Sequence, residues 1–204
     1  MQTKGRLSGE ERRNQILDAA LKLFADKGFS GTKTREIAEL AGISETLIFQ
    51  HFKTKEDLYR EAVKQLFVHH PVIPEIEEKV AQRDDMGVFT TLALHMIKHA
   101  QQDPRIIRLS VFTALEGSRF AEIFHRGEEP VLLVSESLAG YIKQRIDEGA
   151  FKNVNAQITA RLFIETIFMH SVDQDICMTG PPLPFSVEET VDTLVEIFLG
   201  GLKV

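Results

Sequence analysis

The sequence predicts an all-α fold, and three observations predict it. Apolar residues recur at the 3.6-residue helical period, no run of alternating polarity is bounded by hairpin turns, and the glycines and prolines punctuate the periodic segments. With 204 residues, 43% hydrophobic and 26% charged, the chain suits one sizeable buried core plus a small module.

The first helix is expected from Ser8, its N-cap, to Lys27, with Glu10 and Glu11 in the first turn. Its apolar stripe is Ile16, Leu17, Ala20, Leu21 and Phe24, and Gly28 ends it. Two short helices follow in TKTREIAELAGISETLIFQHF, separated by a tight turn at Gly42. Thr32 or Thr34 is expected to cap the first of them and Ser44 the second, while Ala38 is small enough for the two to cross closely. Ile37, Ile43, Ile48 and Phe52 are expected to point inward. A fourth helix starts at Thr54 with a capping box closed by Asp57, buries Leu58, Ala62 and Leu66, and ends near His70 and Pro71.

Beyond the break at Pro71 to Pro74, longer amphipathic helices are expected at about 86–101, from Asp103-Pro104 through Leu115, at about 118–125, 129–148, 155–176 and 186–199. Gly149 stops the 129–148 helix, which has Pro130 near its start, and GPPLPF separates the last two helices. The expected domains are therefore residues 8–70 and 71–204.

Charge is segregated along this layout. Residues 1–60 hold 11 Lys and Arg against 9 Asp and Glu, whereas the remaining 144 hold 13 against 21, so the acidic excess behind the net −6 lies in the larger part. A mildly basic module on an acidic body is compatible with a nucleic-acid partner, because the field near the contact face governs binding. No stretch approaches the roughly 18 apolar residues of a membrane span, and MQTKGRLSGEERR has no apolar signal segment, so a cytoplasmic location is expected. Cys177 is the only cysteine, which excludes an intrachain disulfide or a cysteine-based metal set. There is no phosphate-binding glycine loop, no G-x-S-x-G elbow and no HExxH, so enzymatic chemistry has no support.

A helix-turn-helix lays the start of its second helix against base edges in the major groove while the first braces across it. That requires a small-residue crossing, a turn glycine and polar residues on the exposed face, and TREIAELAGISETLIFQHF supplies all three. From about Arg13 to Val63, ILDAALKLFADKGFSGTKTREIAELAGISETLIFQHFKTKEDLYREAV resembles the N-terminal signature of the tetracycline-repressor (TetR) family of bacterial transcriptional regulators. Beyond residue 70 only length and the helical pattern agree. The resemblance implies a three-helix helix-turn-helix DNA-binding domain, joined by a fourth helix to a larger helical domain that binds a small-molecule effector and dimerises. It implies that Thr32, Lys33 and Thr34 meet phosphate, with Arg35 beside them. It places Ser44, Glu45, Thr46, Leu47, Phe49, Gln50 and His51 toward double-stranded DNA, and Lys55 on phosphate at the start of the fourth helix. The chain departs from the family where many members have Lys-Gly at Glu45-Thr46 and tyrosines at Phe49 and His51. A carboxylate is repelled by phosphate but accepts from cytosine N4, and Gln50 suits adenine N6 and N7.

Two further sets complete the reading. Val187, Val191, Leu194, Val195, Phe198 and Leu202 form a stripe after the Ser186–Glu189 capping box, and Ile158, Leu162, Phe163, Ile167 and Met169 line the preceding helix. Such stripes suit intrachain core or a partner copy; the resemblance points to a homodimer seam at Ile158, Leu162, Val191, Leu194, Val195 and Phe198. Phe89, His95, Met96, His99, Phe112, Phe120, Phe124 and Phe168 suit a pocket for a largely apolar effector, or ordinary core. His95 and His99 share a helix face at metal-chelating spacing, but no acid or cysteine set accompanies them, so neither metal nor cofactor is expected. Repression by operator binding, relieved by the effector, is the function implied. The alternatives are control by a protein partner or metal and, more distantly, a helical enzyme.

Overall fold

A computed structural model describes residues 8–68, 72–116, 130–177 and 184–204. Ser8 opens α1 (Gly9–Gly31) with a reciprocal capping box: its Oγ accepts from Glu11 N at 3.1 Å, and its own amide donates to Glu11 Oε2 at 2.7 Å. Inside α1, Gly28 leaves helical geometry at φ 70°, so the regular helix breaks where a glycine stop is expected and one further turn carries Phe29 to Gly31. Then come α2 (Thr34–Ala41), α3 (Glu45–His51) and α4 (Lys55–Val68).

The prolines at 71 and 74 are expected to mark only a break, but the chain forms a helix, α5 (Ile73–Gln82), with Pro74 in its first turn. Proline is tolerated there because first-turn amides have no helical acceptor to lose. Next are α6 (Asp85–Gln102), capped by Asp84, and α7 (Arg105–Leu115), whose first amide donates to Asp103 Oδ1 at 3.1 Å. The expected helix at 118–125 lies outside the described residues. It is followed by α8 (Pro130–Asp147), α9 (Ala156–Val172) and α10 (Val187–Leu202). A π-helical turn at Asp173–Cys177 extends α9. Gly149 turns the chain after α8 at φ 76°, and Asn155 and Ser186 cap the last two helices as expected.

Two apolar cores form. The first unites Ile16, Leu17, Phe24, Ile37, Ala38, Ile48, Phe52, Leu58 and Tyr59 from α1 to α4 and includes Leu109 of α7. The second packs Phe89, Leu92, Leu138, Ile142, Phe163, Ile167, Val191 and Val195 from α6 and α8 to α10. Each is centred on an aromatic trio. Tyr59 meets Phe24 and Phe29 edge-on at 4.9 and 5.4 Å, and Phe163 meets Phe89 and Phe198 edge-on at 4.9 and 5.0 Å. Such pairs add about 0.5–1.5 kcal/mol each beyond the area they bury. The buried carboxylate of Asp85 is satisfied by Tyr141 Oη at 2.6 Å and Arg145 Nε at 2.8 Å, tying α6 to α8. Among the described residues, no helix is long and apolar enough to cross a membrane.

Candidate nucleic-acid interface

The turn between α2 and α3 is built by Gly42, at φ 65° and ψ 37°, whose amide donates to Ala38 and Glu39. The Ile43 amide reaches Ala38 O at 3.0 Å, closing a left-handed helix end. Ala38 is buried at the crossing, and Gln15 of α1 donates to Ala41 O at 2.8 Å, bracing the end of α2. Ser44 Oγ accepts from Leu47 N and so caps α3.

The start of α2 differs from the expectation. Neither Thr32 nor Thr34 caps it; the Lys33 amide donates instead to Glu36 Oε2 at 2.9 Å. Lys27 donates to the other Glu36 oxygen at 2.6 Å, and these bonds, Lys27 first, hold the Glu36 carboxyl below the usual range. Thr32 is only 1% exposed, and its hydroxyl donates inward toward Leu23 O and Gly28 O at 3.1 and 2.8 Å. That geometry corrects the expectation of a phosphate contact from its side chain. Lys33 and Arg35 are exposed, the latter paired with Glu39 at 3.0 Å, whereas the Thr34 hydroxyl donates to Glu45 Oε1.

On α3, Ile48 points into the core while Glu45, Thr46, Phe49 and Gln50 are exposed and Leu47 and His51 half-buried. Phe49 is 47% exposed, an apolar ring on a polar face. Lys55 does not stand free at the start of α4: its ammonium donates to Phe29 O at 2.5 Å and lies 4.1 Å from the Phe29 ring centroid. The expectation that it anchors phosphate is corrected, because the group is engaged within the fold. The exposed lysine of this turn is Lys53, which stands between α3 and α4, outside the helical phase that marks the other candidates.

Behind this face, α7 grips the end of α1. Arg108 donates to Ala25 O at 2.8 Å, Tyr59 and Thr113 share a buried hydrogen bond of 2.7 Å, and Glu116 accepts from the amides of Phe29 and Ser30 at 3.3 and 2.8 Å. A Cβ at Gly28 would meet Phe112 and Glu116 at 2.9 Å, so glycine is required there both for its dihedral and for this close approach. Glu116 and Phe112 thus serve the seam with α1, a role that sequence spacing of 80 residues and more does not reveal.

The middle-helix set does not converge on one cavity among the described residues. Phe89 is fully buried against Phe163, which corrects its assignment to a ligand pocket, and Met96 packs on the second core. Phe168 is half-buried, and Phe120 and Phe124 lie outside the described residues. His95 and His99 stack 6.0 Å apart and line a groove of about 400 Å³ with Glu75, Thr91, Leu94, Lys98 and Gln102; Glu75 meets His95 Nδ1 at 3.0 Å.

The dimer set divides similarly. Val191 and Val195 are fully buried within the second core, a correction that follows from the inner face of α10 packing on α6. Leu194 and Phe198 are half-buried against that core, while Ile158 and Leu162 are 57% and 52% exposed. Met169 and Ile197 join them at 61% and 67% exposed, and Ile197 was missed because it falls beside the α10 stripe.

Residues 16–62 match the profile of bacterial regulatory proteins of the tetR family. The chain is 30% identical over 189 residues to the HTH-type transcriptional regulator YvkB of Bacillus subtilis, covering 93% of this chain and 96% of that one. It is 32% identical over 108 residues to the HTH-type transcriptional regulator AcrR of Shigella flexneri, a match spanning 52% of this chain and 49% of AcrR. The crystal structure of a TetR family transcriptional regulator from Pseudomonas syringae superposes with a TM-score of 0.71, at 19% identity, over 97% of this chain and 100% of that one. A relative alike over nearly its whole length, a family profile seated on the helix-turn-helix and a shared helical fold lead to one conclusion: the chain belongs to the TetR family of bacterial transcriptional regulators and is not an enzyme.

Proposed function

We propose that the protein is a homodimeric repressor that binds a two-fold symmetric operator and is released by a small, largely apolar effector held among α5 to α9. Lys33, Arg35 and Lys53 meet phosphate, while Thr46, Phe49 and Gln50 meet base edges; Gln50 suits adenine, and the Phe49 ring suits a thymine methyl. The partner copy covers Ile158, Leu162, Met169 and Ile197, apolar side chains that α9 and α10 leave exposed.

The observation that supports effector control is the seam between α7 and α1. The Phe29–Ser30 segment is held by Glu116 on its amides and by Lys55 on the Phe29 carbonyl, four to five residues before α2 begins. A ligand that displaces α7 therefore moves the start of α2 and, with it, the spacing of the two recognition helices. Effector and DNA then weaken each other by the same factor.

The test is binding of the purified protein to its own upstream DNA against random competitor at two salt concentrations. A competitor-resistant shift with a two-fold footprint, weakened by an apolar ligand in a screen, is the expected result. Binding no tighter than to random DNA would refute the operator reading, and a shift that no ligand weakens would refute effector control.

A further inference from the structure

We propose that Glu45, held in place by Thr34, is a base-reading residue that selects cytosine through its N4 amino group at one position of each half-site. The inference rests on the operator reading above and deepens it.

Glu45 is the first residue of α3 and Thr34 the first of α2, so the bond from the Thr34 hydroxyl to Glu45 Oε1 ties the starts of the two helices together across the turn. It occupies a hydroxyl that would otherwise be available to phosphate, and it sets a carboxylate on the exposed face beside Thr46, Phe49 and Gln50. Arg35 pairs with Glu39 and Lys27 with Glu36, and neither cation pairs with Glu45. A carboxylate in this place has no favourable contact with phosphate, which is itself anionic and accepts hydrogen bonds. What it can accept is a donor from a base edge.

Two bases offer an amino group in the major groove, and they differ in what lies beside it. Adenine presents N6 next to the N7 acceptor, which repels a carboxylate oxygen; cytosine presents N4 with no neighbouring acceptor on its own edge. With Oε1 engaged by Thr34, Oε2 remains to accept from N4. Thr34 is thus a positioning residue: it restricts the rotamers of a long side chain before DNA arrives, so less freedom is lost on binding.

The experiment is parallel enrichment of a random duplex library by the full-length protein and its variants, read as base frequencies at each motif position. The wild type is expected to prefer cytosine at one position per half-site by about tenfold or more. Glu45→Ala should lose preference there and keep the rest of the motif. Thr34→Val should retain cytosine with a reduced ratio, and Thr34→Ser, which keeps the hydroxyl, should restore it. Circular dichroism confirms that each variant is folded. A motif shared unchanged by wild type and Glu45→Ala overturns the assignment of Glu45, and equal ratios in Thr34→Val and wild type overturn the positioning role. A library in which the wild type enriches no motif overturns the operator reading itself.

Discussion

The two cores use the same kind of side chain but close differently. The first, from α1 to α4, buries its apolar residues and covers its flank with α7, so that what remains outside on α3 is mainly polar. The second buries Val191 and Val195 yet leaves Ile158, Leu162, Met169 and Ile197 in water on the outer faces of α9 and α10. A closed core leaves its surface free for polar recognition, whereas an open one advertises a surface that another apolar surface can cover.

The largest expected effect tests the open side. Leu162→Glu should make the protein monomeric in sedimentation velocity and weaken operator binding by about a hundredfold or more, because two linked half-site contacts become one. A dimer that persists would place the seam elsewhere. Next comes the closed side, where Leu109→Ala should destabilise the protein by about 2–5 kcal/mol in urea denaturation. Hydrogen exchange should quicken in α1 as well as in α7, although 80 residues or more separate Leu109 from most of α1. Protection lost in α7 alone would mean that α7 is not cooperative with the core of α1 to α4.

On the exposed face, Gln50→Ala should cost about 1–3 kcal/mol on the operator and relax one base position, while Lys53→Ala should weaken all sequences alike and lower the salt slope by about one. Equal losses by both variants on operator and random DNA would erase the division into reader and anchor. Lys55→Ala, by contrast, should affect folding stability more than the salt slope, since its ammonium is held by Phe29.

The smallest effect concerns the seam. Tyr59→Phe removes the hydrogen bond to Thr113 and should cost about 0.5–1.5 kcal/mol. Burial pushes the Tyr59 hydroxyl up to about 12, against the Thr113 bond that lowers it. An unfolded tyrosine titrates near 10, so between pH 10 and 12 the unfolded chain sheds this proton first, and its stabilising contribution, full below 10, falls as pH rises. The variant should show a shallower decline in alkaline denaturation; identical slopes would assign the decline to other groups, such as Tyr141, whose hydroxyl burial also raises.

The first core was legible because each of its signals is local. Ser8, Gly28, Gly42, Ser44 and the Thr54–Asp57 box act within a few residues of themselves, and the structure uses each at its expected place. At the start of α2 two local solutions competed, and Glu36 satisfied the Lys33 amide where a threonine was expected. Helix α5 was hidden by its own Pro74, because the same residue signals a break in one context and a first turn in another. At the candidate interface, exposure of Gln50 and Phe49 follows from helical phase, but the fate of Lys55 does not: phase places it at a helix start and is silent about the Phe29 carbonyl across the fold.

The helical class, the positions of most caps and stops, the helix-turn-helix and the family could all be read before folding, since periodicity, turn chemistry and motif spacing are properties of neighbouring residues. Only the packing of helix on helix set which face of α10 is inside, that Leu109, Phe112, Thr113 and Glu116 of the α7 region serve α1 and α4, and that Thr34 holds Glu45. Those outcomes depend on which helix packs against which, and an apolar or polar side chain carries no record of its partner until the chain has folded.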